Sequence, residues 1–175
     1  MKNKKLTANL AASLALLSGS VWFGVYLLRM FICYRIFDVD MNFIGNLNTQ
    51  NLSGFLFALT PVINTTFVTY IIFIVLFSIF LFTSKISLKK NGWLFIITLI
   101  VYITLPFEAY LMTIDYKMIL ELNYSIHVNV DYVTGLIKDR FENLSSFPII
   151  IIFSYCAAYF FLIFKPLMQK KNNEN

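Results

Sequence analysis

The sequence predicts an all-α integral membrane protein, in which four transmembrane helices form a bundle and residues 1–175 form a single domain. Two observations predict this fold class. Hydrophobic residues make up 59% of the chain and charged residues only 13%, whereas a soluble domain is about 25% charged. In addition, four apolar runs approach or exceed the roughly 20 residues that a membrane-spanning helix needs.

The first apolar run predicts a span over about residues 6–31. A basic segment precedes it and Ser18–Ser20 are small, as in a cleavable signal peptide, but the run continues through Leu28, which is too long for such a peptide. We therefore expect a retained span. Small residues recur in it at a spacing of about four, which allows close helix packing. They form two series spaced by four, Ala11-Ala15-Gly19 and Ser20-Gly24.

The second apolar run, Phe55–Thr83, is longer than a hydrocarbon core requires. Thr60 can cap a helix and Pro61 suits its first position, so we expect the spanning helix over about residues 61–83.

The third and fourth spans are expected over about residues 93–114 and 147–164. A turn signal at Asn91-Gly92 predicts a tight hairpin before the third span. Ser145 or Ser146 can cap the fourth span, and Pro148 suits its first turn.

The basic residues predict that both termini are cytoplasmic (N-in/C-in), because short basic connections stay on the cytoplasmic side. Of fourteen Lys and Arg, nine fall in the N-terminus, the hairpin and the C-terminal tail, against one of nine acidic residues, Glu174. Richness in Lys, Asn, Ile and Phe favours a bacterial source, so we expect a multi-pass protein of a bacterial cytoplasmic (inner) membrane. The nine basic residues are Lys2, Lys4, Lys5, Lys85, Lys89, Lys90, Lys165, Lys170 and Lys171.

Two longer outer loops are expected, over about residues 35–54 and 115–146. The first is rich in Asn and Gly. In the second, the alternating pattern SIHVNVDYV resembles a short strand, and an amphipathic helix follows, with Asp131 as a possible cap. We expect this helix to lie on the outer surface or against a partner. Its apolar face is Val133, Leu136, Ile137, Phe141 and Leu144.

A set of polar residues is expected at one depth, in the outer third of the bilayer. Ionisable residues at membrane depth are rare and are usually paired or face a cavity. We hypothesise an intramembrane polar cluster in which Arg29 pairs with Glu108, with Asn64 and Thr65 nearby. The alternative is that Arg29 extends to the outer head groups and Glu108 lies at the interface.

The residue types present predict no catalytic residue, no cofactor site and no metal site. A single histidine, His127, and two separated cysteines, Cys33 and Cys156, do not supply a haem or zinc site, nor a disulfide framework. No catalytic or phosphate-binding motif is present. Enzymatic activity is therefore disfavoured without being excluded. Because orientation accounts for the basic clusters, we expect no nucleic-acid partner.

The function predicted from these features is that of an accessory or assembly subunit of a larger membrane complex. The expected partners are the lipid bilayer and other membrane protein subunits, or further copies of the chain. Two alternatives stay open: a small oligomeric transporter or channel with an outer-leaflet polar site, and a membrane enzyme acting on a lipid-linked substrate.

Overall fold

The computed structural model describes residues 2–38, 49–143 and 147–167, and every regular element in these ranges is an α-helix. Four of the five helices are long and apolar enough to cross a membrane, and only α4 is not. The helices are α1 over Lys2–Ile36, α2 over Thr49–Ser84, α3 over Gly92–Tyr124, α4 over Val130–Glu142 and α5 over Phe147–Phe164.

The second helix begins earlier than the sequence predicts. α2 starts at Thr49 and passes through Pro61, although proline removes one backbone hydrogen bond inside a helix. Thr60 does not cap a helix here, because its hydroxyl donates to the Leu56 carbonyl one turn back, at 2.9 Å. Residues 49–54, expected in a loop, are therefore helical, while residues 39–48 of that loop lie outside the described ranges.

The third helix ends ten residues beyond its expected end, so Asp115 lies inside a helix and not in a loop. The connection after it contains no strand, and the alternating segment at residues 125–129 is irregular. α4 begins after Asn129, whose side chain accepts a hydrogen bond from the Tyr132 backbone at 3.0 Å. The cap is thus Asn129, and the expected cap Asp131 lies in the first turn. Ser145, Ser146 and Leu144 lie outside the described residues.

α4 and α5 together form the fourth column of the bundle, divided between Glu142 and Phe147. Both helices run antiparallel to α3, because their contacts move towards the start of α3 as the chain advances from α4 to α5. The contacting pairs are Glu121–Asn129, Glu108–Arg140, Phe107–Phe147 and Trp93–Lys165. The divided column covers residues 130–164, close to the length of each of the other three helices. α4 therefore packs within the bundle, against α2 and α3.

The bundle has two distinct ends. The hairpin end carries the α2–α3 connection at residues 85–91 and is built from α1, α2, α3 and α5. The α4 end, opposite to it, is built from α1, α2, α3 and α4. Each half has its own apolar cluster, the first including α5 and the second including α4. Phe147, at the division of the fourth column, packs against both clusters.

Buried residues recur along the helices at alternating steps of three and four. A repeat of 3.5 residues keeps one stripe of each helix facing its neighbours and favours left-handed packing at small crossing angles. On α2 this stripe is continuous over seven turns. Its members are Leu52, Leu56, Leu59, Ile63, Thr66, Tyr70, Phe73 and Phe77.

In the hairpin half, small residues of α1 face large rings of α2. Ala11, Ala15 and Gly19 are buried, and a Cβ atom at Gly19 would lie 2.9 Å from Cδ2 of Phe73. Gly24, expected in the same packing stripe, is exposed, with nothing within 4 Å of an added Cβ. The reason is that the buried stripe continues from Gly19 to Trp22, whereas Ser20 and Gly24 lie beside the stripe and are exposed.

The two glycines give a matched test of this packing. Gly19→Ala should lower the free energy of unfolding by about 1–3 kcal/mol, the usual cost when an added methyl group forces a neighbouring side chain to move. Gly24→Ala should leave it unchanged or raise it by up to about 1 kcal/mol, because alanine favours helix. Thermal unfolding of both variants in the same detergent measures the difference. Equal midpoints would contradict the close contact between Gly19 and Phe73.

Candidate functional site: a buried charge network

Four charged residues meet at the level where the fourth column is divided: Arg29 of α1, Glu108 and Asp115 of α3, and Arg140 of α4. We call them the quartet. All four are buried, with exposed fractions between 0% for Asp115 and 5% for Arg140. Charged side chains are almost never buried unless they are paired, so this is the most unusual feature of the interior.

Asp115 is the centre of the quartet. Its Oδ1 lies 2.8 Å from Arg29 Nη2, and its Oδ2 lies 3.2 Å from Arg140 Nη1. Arg140 also reaches Glu108, with 3.9 Å between Nη2 and Oε2. The four residues therefore form a chain of ion pairs in the order Arg29, Asp115, Arg140, Glu108. Their formal charges cancel when all four are ionised.

The helical repeat explains why these residues meet. Glu108 and Asp115 are seven residues apart, two turns of helix, and so lie on the same face of α3. Arg140 is in the last turn of α4, where the helix dipole favours a cation. Arg29 belongs to the buried stripe of α1, between Tyr26 and Cys33.

Several polar atoms of the quartet make no hydrogen bond with the described residues, although the residues are ion-paired. In the described part of the chain, the Arg29 guanidinium, both Asp115 oxygens, Glu108 Oε1 and Arg140 Nη1 are buried without a hydrogen bond of good geometry. The 2.8 Å contact between Arg29 Nη2 and Asp115 Oδ1 is thus a close ion pair whose N–H is poorly aligned for a hydrogen bond. A small cavity lined by Tyr26, Arg29 and Arg140 adjoins it, and about 10 Å³ of its space is open to the centre of a water molecule. A single water molecule fits such a space.

Two residues of the predicted polar cluster belong to the quartet, but they do not pair with each other as predicted. Arg29 and Glu108 are both present, and the carboxylate in contact with Arg29 is that of Asp115. Neither arginine reaches water, because both guanidinium groups are buried. The interpretation that Arg29 extends to the head groups therefore does not describe this structure.

Asn64 and Thr65 lie away from the quartet. Asn64 exchanges two hydrogen bonds with Asn123 of α3, at 3.3 and 3.2 Å, and the Thr65 carbonyl accepts from the Thr69 hydroxyl. The buried stripe of α2 passes through Ile63 and Thr66, and it leaves the two residues between them off the stripe.

The predicted polar cluster does not include Asp115 or Arg140. Asp115 follows the end expected for the third span, and Arg140 lies in a helix expected at the surface. The signal for both was spacing. Asp115 is seven residues after Glu108, and Arg140 is seven residues after Val133 on the apolar face of α4.

Other sites for chemistry are sparse in the ranges that the structure describes. No group of three or more His, Cys, Asp or Glu residues could hold a metal ion there. Cys33 is buried, Cys156 is exposed, and neither forms a disulfide. His127 is exposed in the α3–α4 connection.

No protein-family model, curated protein or solved structure matches this chain. The quartet must therefore be interpreted from its own geometry.

A double-mutant cycle tests the central ion pair. Removing one partner of a buried pair leaves an uncompensated charge, so Arg29→Met or Asp115→Leu alone should cost about 3–5 kcal/mol of stability. The double variant should recover most of this loss, because Arg140 and Glu108 then remain as a balanced pair. Thermal unfolding measures all three variants against Arg35→Met, an exposed control on the same helix. A double variant that loses the sum of the two single effects would refute the pairing.

Proposed function

We propose that this chain is a small polytopic protein of a bacterial inner membrane and acts as an accessory or assembly subunit of a larger membrane complex. The observation that carries the proposal is an apolar tip at the α4 end. Tyr124 is 78% exposed and Ile126 is 95% exposed. Val128 and Tyr132 are exposed beside them. These four residues are called the apolar tip below.

The length of α5 indicates where the tip lies relative to the bilayer. α5 has 18 residues, nearly all of them apolar, and so about 27 Å of helix, close to the thickness of a hydrocarbon core of ~30 Å. The tip is beyond the start of α5 by the length of α4, which is 13 residues or about 20 Å. If α5 crosses the bilayer, the tip stands in water. Exposed apolar patches outside a membrane are typical of protein–protein contacts.

The apolar tip is also held in place by contacts at both ends of α4. The quartet binds the last turn of α4 to α1 and α3. At the other end of α4, the Asn129 backbone N–H donates to Glu121 Oε1 at 2.8 Å. A surface fixed before binding loses little conformational entropy when a partner docks. This arrangement favours a docking role for the tip.

The orientation proposed here has both termini and the α2–α3 hairpin in the cytoplasm. Its support is the lysine distribution, because Lys5, Lys85, Lys89, Lys90 and Lys165 all belong to the hairpin end. Positively charged connections are retained on the cytoplasmic side. The apolar tip then faces outward, where it would meet the outer portion of a partner subunit.

A transporter or channel has weaker support. The quartet could serve as its polar site, but on the hairpin side of the quartet the rings of Trp22, Tyr70, Phe73 and Tyr155 pack together in an apolar cluster. A conducting path needs polar groups through the full depth, so the path would have to lie between copies of the chain. For an enzyme acting on a lipid-linked substrate, Glu108 would be a candidate, but it is buried and ion-paired.

The orientation is testable with single cysteines in a background in which Cys33 and Cys156 are replaced by alanine. A membrane-impermeant maleimide should label Asp131→Cys in intact cells, because this residue belongs to the α4 end. It should label Ser87→Cys, in the hairpin, only after the inner membrane is disrupted. The reverse pattern of labelling would place the apolar tip in the cytoplasm and contradict the proposed orientation.

The docking role is testable by native mass measurement of the gently solubilised protein. Wild type should be recovered in a complex with other membrane subunits, and Ile126→Asp should reduce the recovered complex at least about tenfold, the effect of losing one apolar anchor. Ser53→Asp adds the same charge at an exposed position of α2 near this end and should retain the complex. An Ile126→Asp chain that keeps its partners would refute docking at the tip, and a wild-type chain without them would refute the function.

A further inference from the structure

The hairpin half of the bundle contains an apolar slot between α1 and α5. Its volume is about 210 Å³, and nearly all of its lining is apolar. α1 packs mainly on α2, and α5 mainly on α3, so the two helices stand apart where the residues of α1 are small. Residues from all four membrane-spanning helices line the slot, among them Ala12, Ala15, Gly19, Phe77, Ile97 and Ala158.

The slot is short, and it is closed towards the quartet. Its lining runs from Ala12 to Gly19 on α1, about 10 Å of helix. One residue further, the Tyr159 hydroxyl donates to Ser20 Oγ at 3.0 Å and joins α5 to α1. The Phe23 ring then stacks against Tyr155, with 6.1 Å between centroids. A helix of a partner protein needs a groove along the whole span, whereas a flexible hydrocarbon chain needs only this pocket.

The opposite end of the slot carries a cation and a hydrogen-bond donor. Lys165 is exposed there, and its Nζ lies 5.6 Å from the centroid of the Trp93 ring. Trp93 Nε1 is buried and has no hydrogen-bond acceptor among the described residues. The Gly92 backbone N–H donates to the Leu167 carbonyl at 3.3 Å, which holds the segment after α5 against the start of α3. The exposed lysine at this mouth matches an acidic head group, which supplies negative charge, whereas the indole N–H has no accessible surface through which a head group could reach it.

We propose that this slot binds the head-group half of one acyl chain of an anionic phospholipid from the leaflet at the hairpin end, with its phosphate beside Lys165. The acyl chain of the lipid fills space that water would not enter, because an apolar cavity of this size stays dry and accepts apolar ligands. The head group then lies at the same end as the hairpin lysines Lys85, Lys89 and Lys90. This would make a lipid an integral part of the hairpin half of the bundle.

The test is native mass spectrometry of the full chain, purified in a neutral detergent from membranes containing phosphatidylglycerol and phosphatidylethanolamine. Wild type should retain one phosphatidylglycerol per chain. Ala12→Phe fills the slot and should lower the retained lipid at least about tenfold, whereas Leu17→Phe adds the same ring on the exposed face of α1 and should not. Retention by Ala12→Phe at the wild-type level would overturn the proposal.

The charge at the mouth is tested separately, so that the result does not depend on the folding of Ala12→Phe. Lys165→Gln changes an exposed side chain and should reduce the preference for phosphatidylglycerol about fivefold, the effect expected of one lysine near an anionic surface. Lys89→Gln, in the hairpin and outside the slot, should leave it unchanged. An unchanged preference in Lys165→Gln would overturn the head-group assignment. A photo-reactive residue at Ala12 that cross-links to protein instead of lipid would assign the slot to a partner helix.

Discussion

Two arginines and two carboxylates lie together, out of water, where the fourth column of the bundle is divided, and the rest of the structure depends on their balance. Burying one ion costs several kcal/mol unless an opposite charge and good geometry compensate for it. Here the compensation comes from three different helices, since Arg29 belongs to α1, Arg140 to α4, and both carboxylates to α3. The positions of these helices are therefore fixed relative to one another at a single level.

The division of the fourth column separates two kinds of interior. In the hairpin half, the fourth helix is the apolar α5, the rings around Trp22 form the core, and a slot remains open beside the small residues of α1. In the other half, the fourth helix is α4, which is amphipathic in sequence and packs on Leu56, Ile63 and Met118. The hairpin half has space for an apolar ligand, and the half that contains α4 carries a surface held in place by the quartet.

Sequence patterns predicted the four apolar helices because each depends on a long run of one kind of residue. They did not predict where α2 begins and α3 ends, since both helices continue beyond the apolar runs through polar residues that packing supports. An end of α3 near residue 114 places Asp115 in a loop, so the sequence predicts Glu108 as the carboxylate next to Arg29. The seven-residue spacing of Glu108 and Asp115 was visible in the sequence, but it indicates a shared face only when the helix is known to continue. The contact of Arg140 depends on the fourth column, which no local pattern specifies.

The quartet fixes the register of α4 more than it adds to the stability of the fold. Replacing a buried ion network by well-packed apolar residues is often neutral or stabilising, so net stability does not explain why these charges occupy the core. Apolar stripes with a 3.5-residue repeat can pair in more than one register, because a shift by one turn brings similar residues together. For α4 such a shift would carry Arg140 away from both Asp115 and Glu108 and leave buried charges without partners. The ion pairs thus penalise registers of α4 other than the observed one, and the location of the apolar tip at the α4 end of the bundle follows from that register.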